Sequence, residues 1–239
     1  MIDLIILTYN EADGLKHFLP LIPPLCQRLG LNGFLAIDGG STDGSLEEYR
    51  RHHIPYVIQG KKGRGAAFEQ AFCESQAEAL IFFSPDGNED LEDLPRFVDA
   101  LRQGADMVIA SRMMRGARNE EDAQFFRWRK WGNQLFTLAV NLLWNRQGPY
   151  ITDTINGFRA IRRDAWEAMR IEAADYTVEF QSTIHALKLK KKIMEFPTRE
   201  GQRIGGESYA KSLPTGIKFL RLLGREILAG RQFPGGASD

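Results

Sequence analysis

"IFFSPDGNED", Ile81 to Asp90, decides how this chain is read. An apolar run ends at Ser84. Pro85 and Gly87 then bracket a bare carboxylate, Asp86, with Asn88 and Glu89 just beyond. Four consecutive apolar or aromatic positions suit a strand covered on both faces, and the oxygen-rich turn lies at its carboxyl end. Two readings stay open at this point. One is a plain acidic turn with an Asx-type cap for the next helix; the other is a seat for a hard cation.

Working outward, short apolar runs recur with helical patterns between them. Leu4–Leu7, Phe34–Ile37, Tyr56–Ile58, Leu80–Phe83 and Met107–Ala110 are expected strands. Ala12–Leu29, Ser45–His52, Ala66–Ala77 and Leu91–Gln103 are expected helices. This alternation predicts an α/β fold, a mainly parallel sheet with helices on both faces. After Ser111 it lapses into a charged segment, Met113–Lys130. Helices are then expected over Trp131–Asn145, Thr177–Leu189 and Ile217–Leu228, with "KKKIMEFP" as an edge strand ended by Pro197.

Ligands of open α/β sheets sit outside the carboxyl ends of the strands. Here those ends carry Thr8, Tyr9, Asn10 and Glu11, then Asp38 with two glycines, then Asp86 and Asn88, then Ser111 and Arg112. That gathers them into one expected site. Asp38 suits a nucleobase or ribose, although a strand-to-helix turn explains the same residues. "KKGRGAAF" places Lys62 and Arg64 before a helix, where cations and backbone N–H groups suit a diphosphate. A solvated basic loop is its plain alternative. Asp86 and Asn88, two residues apart on a turn, can direct oxygens at one Mg²⁺ or Mn²⁺.

At 239 residues and 43% apolar content, the chain has enough material for one large core. Net charge is zero, yet residues 188–231 hold eleven Lys/Arg against four Asp/Glu. Such an asymmetry points to an anionic partner, phosphate or a membrane surface. No nucleic-acid reading motif accompanies it. Two cysteines and four scattered histidines speak against a disulfide framework or a zinc site. The start lacks a basic signal-peptide region and no apolar run is long enough to span a bilayer, so a cytoplasmic, non-spanning protein is expected.

"LIILTYNEADGL", "LAIDGGSTDGS", "KKGRGAAFEQAF", "IFFSPDGNEDLEDLPRFVDAL", "ADMVIASR", "TINGFRAIRR" and "REGQRIGGES" occur in that order over about residues 2–228. This ordered set resembles the family 2 inverting glycosyltransferases of the GT-A fold, nearest to the dolichyl and polyprenyl-phosphate sugar transferases. The resemblance implies a catalytic domain over 1–212 and an amphipathic helix with a tail over 213–239. It implies that Thr8–Glu11 and Asp38 hold the nucleoside of a nucleotide diphosphate-sugar. Asp86 and Asn88 would occupy the metal-binding Asp-x-Asp loop, and Arg203 would meet phosphates from a mobile loop. Two departures stand out. Asp38-Gly39 replaces paired aspartates, and Asp86-Gly87-Asn88 keeps an oxygen ligand but drops a charge that Glu89 or Asp90 would have to supply.

For the acceptor, a phosphate is ionised at neutral pH and needs no general base, whereas a sugar hydroxyl does. Arg112, Arg129, Arg159 and Arg203 are the expected ligands of a polyprenyl phosphate. Glu179, in "YTVEFQ", is the expected base if the acceptor is instead a saccharide hydroxyl in envelope polysaccharide assembly. Ile217–Leu228 and, less strongly, Trp131–Asn145 are amphipathic enough to lie on a bilayer. Packing on the sheet, or on a second copy, is the competing account. The sequence leaves the oligomeric state open.

Overall fold

The computed structural model describes residues 1–119, 128–204 and 212–230. Seven strands form one sheet in the order β3-β2-β1-β4-β6-β5-β7. They are β1 (Ile2–Thr8), β2 (Gly33–Asp38), β3 (Tyr56–Ile58), β4 (Ala79–Phe83), β5 (Met107–Ser111), β6 (Arg159–Arg162) and β7 (Ile193–Pro197). All pairings are parallel except those of β6, which runs antiparallel between β4 and β5.

Side chains alternate across a strand, and both faces here are covered. In β1, Leu4 and Ile6 enter a core that contains Leu15, Phe18, Tyr49 and Phe97. Ile5 and Leu7 enter the opposite one, with Phe68, Phe72, Met169 and Val178. The first core is thus roofed by α1 (Ala12–Phe18), α2 (Ile22–Leu29), α3 (Ser45–Arg51) and α5 (Leu94–Arg102). The second is roofed by α4 (Arg64–Glu74), α7 (Arg163–Met169) and α8 (Val178–Lys188). A third cluster, Val140, Phe180, Ile184, Phe219 and Leu222, joins α6 (Trp128–Trp144) and α9 (Ser212–Ala229) to α8.

The expected single helix over Ala12–Leu29 is two, because Pro23 and Pro24 lack the N–H that a continuous helix needs and instead open α2. Leu91–Asp93 is a 3₁₀ turn leading into α5. Strand β6 was not expected, since arginines flank its apolar centre. Those arginines have structural partners. Arg162 donates to the carbonyls of Leu101 and Ala105 at the end of α5. Arg163 donates to those of Phe72, Ser75 and Ala77 at the end of α4. Carbonyls left over at helix ends need such donors.

Helix α9 is fastened by charge as well as by apolar burial. Glu226 accepts from Lys188 at 2.6 Å and lies 3.0 Å from His185 Nε2. Burial pushes the Glu226 carboxyl up, but His185 and Lys188 outweigh it and hold the group down at about 2.

A pH effect on stability arises from a second buried carboxylate. Glu195 accepts from Thr152 N, Thr152 Oγ1 and Asp153 N, yet burial lifts it to about 7. The folded protein therefore keeps a proton that the unfolded chain releases near the ordinary value of 4.5. Stability is expected to fall as pH rises from about 4.5 to 7. Glu11, also raised to about 7, adds to the same window. Thermal melts between pH 5 and 8 should show this slope, and Glu195→Gln should flatten it.

Candidate active site

The loops after β1 and β2 hold each other. Asn10 N donates to Ser41 Oγ, and Thr42 N to Asn10 Oδ1, both at 2.8 Å. Ala12 N donates to Asp43 Oδ2, and Glu11 N to Ser45 Oγ. Asn10 accordingly sits at φ 54°, a left-handed conformation that asparagine tolerates. Asp38 is fully buried, and its Oδ1 accepts from Gly40 N and Ser41 N. These two residues shape the site's rim, and neither lines the cavity beside it.

That cavity, about 480 Å³, lies at the carboxyl ends of β1 to β4 and is lined by Thr8, Tyr9, Glu11, Gln59, Lys62 and Arg203, among others. Asp86, Arg64, Ser84 and Tyr176 also face a neighbouring cavity of about 370 Å³. Polar and charged groups from β4, α4 and the loop before α8 stand at the junction. Phe136 of α6 and Phe219 of α9 wall the second cavity.

Arg203 Nη1 donates to Asp86 Oδ2 at 3.1 Å, and its Nη2 to Glu11. Burial first, then the nearby charges of Asp86 and Asp43, raise Glu11 to about 7 against the opposing pull of Arg203. The segment bearing Arg203 is docked on the β4 turn: Gly201 N donates to Asn88 O, and Ile204 N to Asp86 O. Gly87 makes this possible. Its φ is +95°, and a Cβ there would meet Gln202 O at 2.6 Å.

Whether this turn suits a divalent cation can be tested on its donor atoms. Asn88 Oδ1 is buried with no hydrogen-bond partner among the described residues, while Asn88 N donates to Asp86 Oδ1. An orphaned amide oxygen beside a carboxylate is a hard-oxygen pair that fits Mg²⁺ or Mn²⁺ with substrate phosphates completing the shell. Among the described residues no cluster of three or more His, Cys, Asp or Glu offers an all-protein cage. The missing charge is not made up nearby. Asp90 caps the 3₁₀ turn through Glu92 N. Burial, then the charge of Asp86, hold Glu89 well above the usual carboxylate range, toward its neutral form.

The start of α4 differs from expectation. Gly65 N and Ala66 N both donate to Ala174 O, and a Cβ at Gly65 would meet Ala173 O at 1.9 Å. The helix terminus is thus closed by the loop before α8 and does not offer those N–H groups to a diphosphate. Lys62 still faces the first cavity. Arg64 turns to the junction, where its Nε binds Glu179 and its Nη1 donates to Ser84 Oγ at 3.3 Å. Burial alone would depress the Arg64 guanidinium, and the Glu179 carboxylate, first among the opposing charges, raises it instead.

Of the four arginines expected at an acceptor phosphate, two reach a cavity. Arg203 lines the first cavity, and Arg112 the second. Arg112 is held by both oxygens of Asp153, at 2.7 and 3.1 Å, and lies 3.5 Å from Glu200. Arg159 is fully buried and donates to Asn156 O, Glu179 O, Ser182 Oγ and Thr183 Oγ1, so the geometry gives it the task of fixing α8. The side chain of Arg129 lies outside the described residues. Gln59, Ser84, Tyr176 and Lys130 also line the cavities and were not singled out from sequence. Only Ser84, at the carboxyl end of β4, had a positional cue.

A mainly parallel sheet with a cavity and an acidic turn at its carboxyl edge is the layout of the GT-A fold. The chain belongs to glycosyl transferase family 2, whose model matches residues 3–170. It is 29% identical over 217 residues to an undecaprenyl-phosphate mannosyltransferase of Micrococcus luteus, covering 85% of each chain. It is 24% identical over 228 residues to a dolichol-phosphate mannosyltransferase of Pyrococcus furiosus, covering 92% of this chain and 62% of that one. With glycosyltransferase AglJ of Haloferax volcanii it shares 27% identity over 192 residues, 80% of this chain and 60% of that one. The chain therefore spans about three-fifths of the length of these last two relatives. Among solved structures, a glucosyl-3-phosphoglycerate synthase of Mycobacterium tuberculosis, crystallised with Mn²⁺, UDP-glucose and phosphoglyceric acid, superposes with a TM-score of 0.74 at 17% identity. That alignment covers 99% of this chain and 81% of the other, and it establishes the shared fold.

Proposed function

We propose that this protein transfers a sugar from a nucleotide diphosphate-sugar to a polyprenyl phosphate, with inversion at the anomeric carbon. One observation carries the reading. The second cavity is lined both by the charged groups of Asp86, Arg64 and Arg112 and by the aromatic rings of Phe136 and Phe219, so it offers contacts to a phosphate and to a hydrocarbon chain. The named relatives that act on dolichol phosphate and undecaprenyl phosphate support it.

In this reading the nucleotide lies in the first cavity, with its diphosphate near Asp86, Lys62 and Arg203. Asp86 and Asn88 would hold a divalent cation, which supplies Lewis-acid stabilisation to the departing diphosphate. Arg203 is bound to Asp86 and Glu11 in the free protein and would turn to the phosphates when these arrive. Arg64 and Arg112 orient the acceptor phosphate, whose oxygen attacks in line with no covalent enzyme intermediate. Glu179 is 3% exposed and its Oε1 is committed to Arg64, which leaves Oε2 as the oxygen that an acceptor hydroxyl in the second cavity could reach.

Helices α6 and α9 support contact with a lipid surface. Trp131, Leu135, Leu138 and Leu142 form an exposed stripe on α6; Ile217, Leu220, Ile227 and Leu228 are exposed on α9. Among the described residues no helix is long and apolar enough to cross a membrane. Two cations of α9 are engaged by the protein itself, Lys218 with Asp175 and Arg225 with Glu172. The apolar stripes are therefore the stronger support for peripheral contact.

The test is transfer of labelled sugar from a panel of nucleotide sugars to polyprenyl phosphate in mixed micelles with Mn²⁺. An organic-extractable, acid-labile glycolipid is the expected product. Glu179→Gln should retain at least about a tenth of this activity, since no base is required. Product formed only on saccharide acceptors, and lost in that variant, would overturn the phosphate reading.

A further inference from the structure

Arg112 does not stand in the second cavity by itself; a buried construction behind it fixes which way it faces. Asp153 is fully buried and lines neither cavity. Its Oδ2 accepts from Arg112 Nε at 2.7 Å and its Oδ1 from Arg112 Nη2 at 3.1 Å, a side-on pair. The same carboxylate accepts from Arg112 N at 3.2 Å, from Asn133 Nδ2 of α6 at 3.0 Å and from the N–H groups of Ile155 and Asn156. Burial pushes the Asp153 carboxyl up, but the Arg112 charge outweighs it and holds the group below the usual carboxylate range.

The turn that carries Asp153 is bolted to the end of β5, next to Arg112. Glu195 of β7 accepts from Asp153 N at 3.0 Å and from Thr152 N at 2.7 Å. Thr152 Oγ1 lies 2.6 Å from Ser111 Oγ, and the Asn156 amide donates to Ala110 O. Neither the carboxylate nor the guanidinium can turn without breaking several of these bonds. A buried ion pair adds little stability over apolar packing, so what it can contribute is a fixed geometry. Here the fixed feature is an edge. A guanidinium carries its N–H donors in a planar fork. Asp153 takes Nε and one hydrogen of Nη2, which leaves Nη1 and the other Nη2 hydrogen as a parallel pair. That edge is on the cavity side: Arg112 and Glu200 both line the second cavity, and Glu200 Oε1 lies 3.5 Å from Nη1.

We infer that Asp153 is a positioning residue for the acceptor: it occupies one edge of the Arg112 guanidinium and so turns the other toward the second cavity, where two parallel N–H bonds can hold the oxygens of a phosphate monoester. Only a planar fork has an edge to direct; the point charge of a lysine has none. The inference rests on the polyprenyl-phosphate reading above and adds to it a residue that touches neither substrate.

Steady-state transfer by the full chain in mixed micelles, with polyprenyl phosphate and the nucleotide sugar varied in turn, tests it. Asp153→Asn keeps the shape but sets an amide N–H against the donors that the carboxylate accepts. It should raise the KM for polyprenyl phosphate about tenfold to a hundredfold. The KM for the nucleotide sugar should move less than about twofold, which a general loss of structure would not spare. In an Arg112→Lys background, where no fork remains to be aimed, the same substitution should add less than about threefold to the acceptor KM. Thr152→Val leaves every charge in place and removes the hydroxyl between Ser111 and Glu195. It should raise the acceptor KM about threefold, so the matter is decided even where Asp153→Asn fails to fold. An acceptor KM indifferent to these changes, a donor KM that rises in step with it, or an undiminished effect beside Arg112→Lys overturns the role of Asp153 and leaves the acceptor reading standing. Absence of wild-type transfer from every nucleotide sugar to polyprenyl phosphate overturns both.

Discussion

Replacing Asp86 by alanine is expected to lower sugar transfer by about a thousandfold, while the protein still folds. Loss of charge stabilisation at a departing diphosphate is worth several kcal/mol, and each ~1.4 kcal/mol is tenfold in rate. Among the described residues Asp86 is the one carboxylate that lines both cavities, a placement suited to serving donor and acceptor together. Its structural bonds are few: Oδ1 accepts from Asn88 N and Oδ2 from Arg203. Thermal melting should therefore shift little, and Arg203 keeps Glu11 as a partner. A companion variant separates charge from geometry. Asn88→Asp restores a second carboxylate at an atom that is buried and, among the described residues, unpartnered, and should strengthen Mn²⁺ binding by titration. Transfer by Asp86→Ala within tenfold of wild type would remove the cation site from the reaction.

The strands β1, β2, β4 and β5 were legible because each is a near-continuous apolar run with its centre or end buried, and β3, a partly exposed edge strand, by its apolar run alone; the candidate site was sought at their carboxyl ends. Strand β6 was hidden for a physical reason. Its arginines do not signal an exposed surface, since Arg159 is buried against α8 and Arg162 closes the end of α5. Composition cannot show which carbonyls an arginine will meet, and the same limit misdirected the expectation for Arg159 as a phosphate ligand. At the start of α4, glycines and cations suggested an anion cradle, but those glycines admit the carbonyls of Ala173 and Ala174.

Arg64→Met is expected to be the most destabilising single change at the site, by about 3–5 kcal/mol, because it strands a buried carboxylate. Glu179 is 3% exposed, and Arg64 is the only cation with which it forms an ion pair among the described residues. The pair is built in tightly. A Cβ at Gly157 would lie 2.0 Å from Arg64 Nη2 and 3.2 Å from Glu179 Oε1, so glycine at that position leaves the space the pair occupies. Removing the guanidinium also forfeits its bond to Ser84 and its place over the Phe68 ring, 5.8 Å from the centroid. Most of the loss should nevertheless come from the unpaired charge. The double variant Arg64→Met/Glu179→Gln removes that charge, and urea unfolding should show it to be more stable than Arg64→Met alone. Activity separates the two roles of Arg64. If it only neutralises Glu179, the double variant should recover transfer along with stability. If it also orients the acceptor phosphate at the junction of the cavities, stability should return while transfer stays low, with the deficit falling on the KM for the lipid phosphate. The second outcome is the expected one, because Arg64 faces both cavities while Glu179 faces only the second.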